Sequence, residues 1–338
     1  MKKSFVILAV LLQLIVLAYM AGEREYILRN GKVIHLRTAP VDPRDMFRGD
    51  YVRLNYEISR IPVNMLKGID SAGDLKKGDK IYVSLKEGPN GLYELADAGL
   101  EKPAGGLYLA GRLPYPYRTL GVSNPIWIKY GIEAYFLEQG KGRAIEKRRG
   151  SWTDVQIPLE MEIAVGPGGK AAIKGYRWSP LGIGLTVLRG LRRNQQGQDQ
   201  ETPRSATVQL TLANTFDKPL AIVNLPDYCS FRLEPVPWAR KQWSLAHDPC
   251  EDVLPSDADV ITLAPEQRMR FDFEFSAERW LVEADGQIKQ IGTLKGSEQF
   301  RLVYRPPDEA ASRHLHQKDI IWHGYMPSRV FHGRGNID

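Results

Sequence analysis

The apolar run near the N-terminus constrains this chain more than any other feature. Lys2 and Lys3 precede residues 5–21, which are apolar apart from Gln13, and Gly22, Glu23, Arg24 and Glu25 end the run abruptly. Coiled as a helix at 1.5 Å per residue, such a run spans roughly 27–30 Å, close to the hydrocarbon thickness of a bilayer. The two lysines hold its first end in the cytoplasm under the positive-inside rule, so the bulk of the chain is expected to face the periplasm or cell exterior. A cleaved signal peptide would need small residues at the −3 and −1 positions. Neither Ala18-Tyr19-Met20 nor Tyr19-Met20-Ala21 is a good site, so residues 1–23 are expected to stay as a signal anchor. No second apolar run of that length follows, which predicts a single-pass protein of the inner membrane.

Beyond the anchor the apolar residues recur with period two, the signature of half-buried strands. The runs beginning at Val33, Tyr51, Lys80, Gly106 and Ile126 all alternate, with glycine, proline and aspartate between them. Residues 155–165 and 171–176 flank Pro167-Gly168-Gly169-Lys170, a hairpin pattern. Residues 140–149 form the one expected helix of this region, short and charged on most faces. The predicted fold is mainly β. An N-terminal transmembrane helix leads into a β domain over residues 24–178. A connection and polar linker follow over residues 179–205. An immunoglobulin-like β-sandwich occupies residues 206–306, and an irregular, loosely packed C-terminal segment residues 307–338.

The only two cysteines, Cys229 and Cys250, fall in the second β domain. In an exported domain such a pair is expected to be a disulfide, and closing a loop of about twenty residues contributes roughly 3 kcal/mol on the chain-entropy model. The net charge is +6, but basic and acidic residues alternate nearly everywhere, so no nucleic-acid stripe is present.

Residues 41–56, VDPRDMFRGDYVRLNY, are the most informative stretch. Asp42-Pro43 is a turn opener: the carboxylate accepts from amides two residues on, and the proline presets φ. Arg44, Asp45, Arg48 and Asp50 alternate in sign, and Gly49 permits an unusual φ. Tyr51, Arg53 and Asn55 are expected on one face of the following strand, with Val52, Leu54 and Tyr56 on the other. Gly49-Asp50-Tyr51, Leu54 and Tyr56 together resemble the signature of the GDYXXLXY family, uncharacterised membrane-anchored bacterial proteins. The resemblance takes in residues 41–45 upstream. Downstream it reaches Tyr130-Gly-Ile-Glu-Ala-Tyr-Phe, then Glu138, Gly140, Gly142 and Glu146, and covers roughly residues 24–178. It implies a membrane anchor, an extracytoplasmic β domain and a multi-pass membrane protein as partner. It implies no reaction.

The residues form no complete catalytic constellation. A membrane-anchored serine peptidase needs a serine close to the membrane and a lysine base in an apolar site; here the first serine after the anchor is Ser59. Acidic residues near the motif, with Glu133, could supply an acid/base pair, making an envelope hydrolase the alternative function. In that alternating strand Ile132 and Phe136 are expected to point one way, and Glu133 and Tyr135 the other, toward solvent. His314, His316 and His323 are the nearest approach to a metal set, but their spacing fits no strong zinc pattern. There is no phosphate loop, dinucleotide fingerprint or CxxC pair. The expectation is therefore an interaction or assembly module without catalysis, cofactor or metal. Its candidate surface comprises Asp42, Arg44, Asp45, Arg48, Gly49, Asp50, Tyr51, Arg53, Glu133 and Tyr135. It is anchored in the membrane by its helix and binds no nucleic acid.

Overall fold

The computed structural model describes residues 2–39, 51–69, 75–117, 125–138, 141–150, 154–189, 207–236, 241, 243–247, 250, 253–294 and 298–333. Helix α1, Lys2–Asn30, runs without a break through the apolar segment. The part over Phe5–Asn30 is long and apolar enough to cross a membrane; its most apolar 18-residue stretch has a mean hydropathy of 2.5, and none of that stretch is buried in protein. It continues past residue 23, where the sequence pattern placed its end. Glu25 and Arg29, one turn apart, pair at 2.6 Å on this extension. Ile27 is buried against Ala164 and Ala172. Gly166 lies directly beneath it: a Cβ there would come within 2.6 Å of Ile27, so the hairpin can meet the helix only through glycine. The Lys170 ammonium reaches back to the Glu23 carboxylate.

The chain is mainly β. The first β unit contains β1 (Lys32–Ala39), β2 (Tyr51–Arg53), β3 (Asn55–Tyr56), β4 (Arg60–Ile61), β5 (Leu66–Lys67), β6 (Lys80–Glu87), β7 (Tyr93–Gly99), β8 (Leu107–Arg112), β9 (Ile126–Trp127), β10 (Ala134–Phe136), β11 (Leu159–Val165) and β12 (Ala171–Trp178), with helix α2 at Lys141–Arg149. Two four-stranded sheets, ordered β12-β11-β1-β3 and β5-β7-β6-β8, carry most of it, and β2/β10 and β4/β9 form short pairs. Ile34, Leu36, Tyr56, Ile81, Val83, Leu109, Met161 and Ile163 share one core.

The later strands are β13 (Leu181–Arg189), β14 (Thr207–Asn214), β15 (Leu220–Val223), β16 (Phe231–Pro235), β17 (Ser244–Leu245), β18 (Val260–Leu263), β19 (Arg268–Glu274), β20 (Leu281–Ala284), β21 (Gln287–Gln290), β22 (Gln299–Tyr304), β23 (Met326–Pro327) and β24 (Phe331–His332). They surround a second core built on Leu210, Leu212, Phe231, Phe271, Phe273 and Tyr304. Cys229 and Cys250 are disulfide-bonded. Arg279 lies against both sulfurs, with Nη1 3.4 Å from Cys250 Sγ and 3.6 Å from Cys229 Sγ.

Three expectations change. Residues 126–137 are not one strand: a turn at Gly131, φ +81°, separates β9 from β10. The run from Tyr51 breaks at Leu54 and passes into a 3-10 turn, Glu57–Ser59. Residues 181–188, whose apolar run fits a strand or a packed connection, form a strand: they lie in β13 and pair with β14, from Leu181↔Asn214 to Val187↔Val208. The polar stretch that follows, residues 190–206, lies outside the described residues. The C-terminal segment is not loose. β23 and β24 both add to β22, and Trp322, Met326 and Phe331 are buried in the second core. Spaced among glycines, prolines and charges, these apolar residues show no periodicity, so tertiary packing alone reveals their role.

The two units meet along a polar seam. Glu160 sits between Arg177, at 2.7 Å, and Arg37, at 3.6 Å. Arg37 Nη1 donates to the Tyr325 carbonyl, and the Tyr325 hydroxyl donates to Glu234 at 3.0 Å. The Asn90 amide donates to the His323 carbonyl. Arg268 pairs with Asp154 at 2.8 Å.

Candidate functional site

The signature strand and the downstream segment that accompanies it in sequence are neighbours in space. β2 pairs with β10 in antiparallel register, Tyr51↔Phe136, Val52↔Tyr135 and Arg53↔Ala134. The Leu54 amide extends the ladder by donating to the Glu133 carbonyl at 2.8 Å. Two buried tyrosines then lock the segments reciprocally. The Tyr56 hydroxyl donates to the Ile132 carbonyl at 2.8 Å, and the Tyr130 hydroxyl to the Ile58 carbonyl at 2.5 Å. Burial holds both phenols well above the ordinary tyrosine range, and the nearby Glu133 charge pushes the same way. They stay neutral donors across the physiological range.

Glu133 is committed to the backbone. Its carboxylate accepts from the amides of Tyr130, at 2.5 Å, and Gly131, at 3.0 Å, closing the turn that β10 leaves. This corrects the expected facing of residues 132–136. The strand proper begins only at Ala134, so Tyr135, opposite buried Val52, packs inward with its ring edge-on to Tyr176 at 5.8 Å. Burial raises its hydroxyl pKa. Phe136 is 75% exposed, whereas Ile132 is buried.

On the outer side of this pair lies a cleft of about 490 Å3, bordered by Arg53, Asn55, Tyr115, Trp127, Lys129 and Glu133. Arg53 and Lys129 are exposed cations at its rim. Trp127 is fixed from two sides: its amide donates to the Tyr117 hydroxyl at 2.6 Å, and the Arg60 guanidinium lies 4.3 Å from its ring centroid. Burial lowers the pKa of Arg60. The functional groups of the cleft are the cations of Arg53 and Lys129, an aromatic wall, the Asn55 amide and the backbone-bonded carboxylate of Glu133.

Of the sequence-predicted residues, Arg53 and Glu133 border this cleft, Tyr51 enters through its backbone pairing with Phe136, and Tyr135 lies on the opposite face. Asp42, Arg44, Asp45, Arg48, Gly49 and Asp50 lie outside the described residues. Asn55, Tyr115, Trp127 and Lys129 were not singled out. Trp127 and Lys129 share a parity in the alternating run from Ile126, and that signal could have placed both on the strand's polar face.

The histidines do not converge. His314 Nε2 lies 2.8 Å from the Pro255 carbonyl, His316 Nδ1 2.5 Å from Asp257, and His323 Nδ1 2.8 Å from the Pro307 carbonyl. Among the described residues no group of three or more His, Cys, Asp or Glu side chains is placed to hold a metal ion.

Compared with known protein families, residues 13–175 match the model of the GDYXXLXY protein family. No curated protein and no solved structure matches the chain.

Proposed function

Residues 13–175 belong to the GDYXXLXY family, and from that premise we propose that the chain is a membrane-anchored interaction or assembly module whose recognition surface is the cleft beside the signature strand. In this reading α1 is a signal anchor in the inner membrane, with its N-terminus cytoplasmic and the β units periplasmic or extracellular. The partner is a membrane or envelope protein, a multi-pass membrane protein being the expected kind. Residues 206–306 are read as an immunoglobulin-like sandwich; the antiparallel sheets and the disulfide-braced aromatic core support that reading.

The observation that carries the proposal is the division of labour along the signature. Tyr56 and Leu54 are buried and structural, while Arg53 and Asn55, one residue away, present polar groups to an open cleft with a fixed tryptophan wall. The alternative is an envelope hydrolase using acidic residues near the motif; of these, Glu133 already accepts the backbone N–H groups of Tyr130 and Gly131.

The test is affinity capture of the full-length protein from native membranes in mild detergent, beside an Arg53→Ala, Lys129→Ala variant whose fold is checked by circular dichroism. Hydrogen bonds to charged groups contribute about 1.5–3 kcal/mol each, so the double variant should lose at least tenfold in recovered partner. Equal recovery by both proteins removes the cleft as the recognition surface. A parallel Arg48→Ala, Asp50→Ala variant reports on the preceding turn.

A further inference from the structure

We propose that the outer face of the sheet β5-β7-β6-β8 is a second membrane contact, a lysine–tyrosine belt that seats the first β unit on anionic lipid headgroups. The inference rests on α1 lying in a membrane. Ile81, Val83 and Leu85 point into the core, so Lys80 and Tyr82 on the same strand point out. Tyr108 pairs with Ser84 and Tyr82 with Ala110, which makes the two tyrosines diagonal neighbours on that face. Their rings meet edge-on at 5.8 Å. Each carries a lysine: Lys80 Nζ lies 4.8 Å from the Tyr82 centroid, and Lys102 Nζ 6.0 Å from the Tyr108 centroid. Lys80 and Lys102 are both exposed.

The height of this belt above the bilayer follows from α1. The turn Pro167–Gly169 rests on Tyr108, since a Cβ at Gly169 would lie 2.8 Å from the tyrosine ring and from the Ala110 amide nitrogen. The next residue, Lys170, is ion-paired with Glu23. Glu23 is two residues past the end of the apolar run, about 3 Å further along the helix axis. Lys170 therefore sits at headgroup level, and Tyr108 is held beside the turn that leads into it. Ile27, packed over Gly166, fixes the angle between helix and sheet, so the belt cannot swing away without breaking a buried contact. Two other lysines of this sheet are paired with carboxylates, Lys67 with Asp97 and Lys86 with Glu94, whereas Lys80 and Lys102 lie against the two tyrosine rings. Amphipathic rings with lysines that extend past them match a surface of apolar depth under anionic headgroups.

Amide hydrogen exchange of the full chain in nanodiscs tests this. The probes are phosphatidylcholine alone and phosphatidylcholine with 30% phosphatidylglycerol. Residues 100–106 and 166–170 should exchange at least fivefold more slowly with phosphatidylglycerol, and a Lys80→Glu, Lys102→Glu variant should lose that difference while melting at the wild-type temperature. Equal exchange in the two lipids, or a difference that survives charge reversal, overturns the proposal. If alkaline carbonate releases the protein from native membranes, the membrane reading itself fails, and the belt with it; retention together with equal exchange overturns the belt alone.

Discussion

Glu160→Gln is expected to cost about 3–5 kcal/mol, because it leaves Arg37 charged, buried and without its counter-ion. Arg37 is 7% exposed and Glu160 2%. Among the described residues the guanidinium makes one hydrogen bond, to the Tyr325 carbonyl; its Nε and Nη2 have none, and the Glu160 carboxylate 3.6 Å away is the paired charge. Because that carbonyl belongs to the C-terminal segment, the substitution should also weaken the join between the two units. Urea unfolding of the full chain in detergent should show the loss, with the two units melting further apart. Adding Arg37→Met should recover much of it, since the buried cation that lost its counter-ion is then removed as well. If the single variant melts with the wild type, the seam is not an ionic join.

Glu57, at the same seam, behaves oppositely. The residue keeps accessible surface, yet burial of its carboxyl raises the pKa above the ordinary value of 4.5, against the pull of Arg37 and Arg301. A carboxyl raised on folding favours the folded state fully below its unfolded pKa and loses that contribution as pH rises through the folded one. Glu57→Gln should therefore gain stability relative to wild type between the ordinary carboxylate range and neutrality, and the gap should close on acidification.

These residues show where the sequence ceases to be legible. In β1 the alternation correctly buries Ile34 and Leu36. It also assigns Arg37 to a polar face, and nothing local reveals that a second unit covers that face. Burial by a distant segment leaves no periodicity in the strand it covers. The same limit hid the C-terminal segment, whose Trp322, Met326 and Phe331 find their partners only across the fold. Local chemistry was more legible. The hairpin around Pro167 and helix α2 follow from short-range pattern, and the pairing of cysteines 229 and 250 from the chain having only those two. The candidate cleft lies between these cases. Arg53 stands out beside the signature, but Trp127 and Lys129 join it only because the turn at Gly131 folds β10 back against β2.

Tyr56→Ala is expected to cost about 3–5 kcal/mol, the range for removing a large aromatic side chain from a core. The ring is 1% exposed and central to the first core. Tyr56→Phe separates its hydroxyl from its bulk. The Ile132 carbonyl would lose its 2.8 Å donor in a buried position, a penalty of about 1–3 kcal/mol. Tyr130→Phe removes the reciprocal bond to Ile58 and should cost a similar amount. Both hydroxyls join the same two segments, so the double phenylalanine variant should depart from additivity by about 0.5–3 kcal/mol. Arg53→Ala, three residues upstream on the exposed side, should change stability by no more than about 0.5 kcal/mol. Thermal unfolding and partner recovery would then respond to different residues of a single signature: the tyrosine would hold the β2–β10 platform, and the arginine would use it. A stable Tyr56→Phe protein beside an unstable Arg53→Ala protein would reverse that assignment and make the arginine the structural residue.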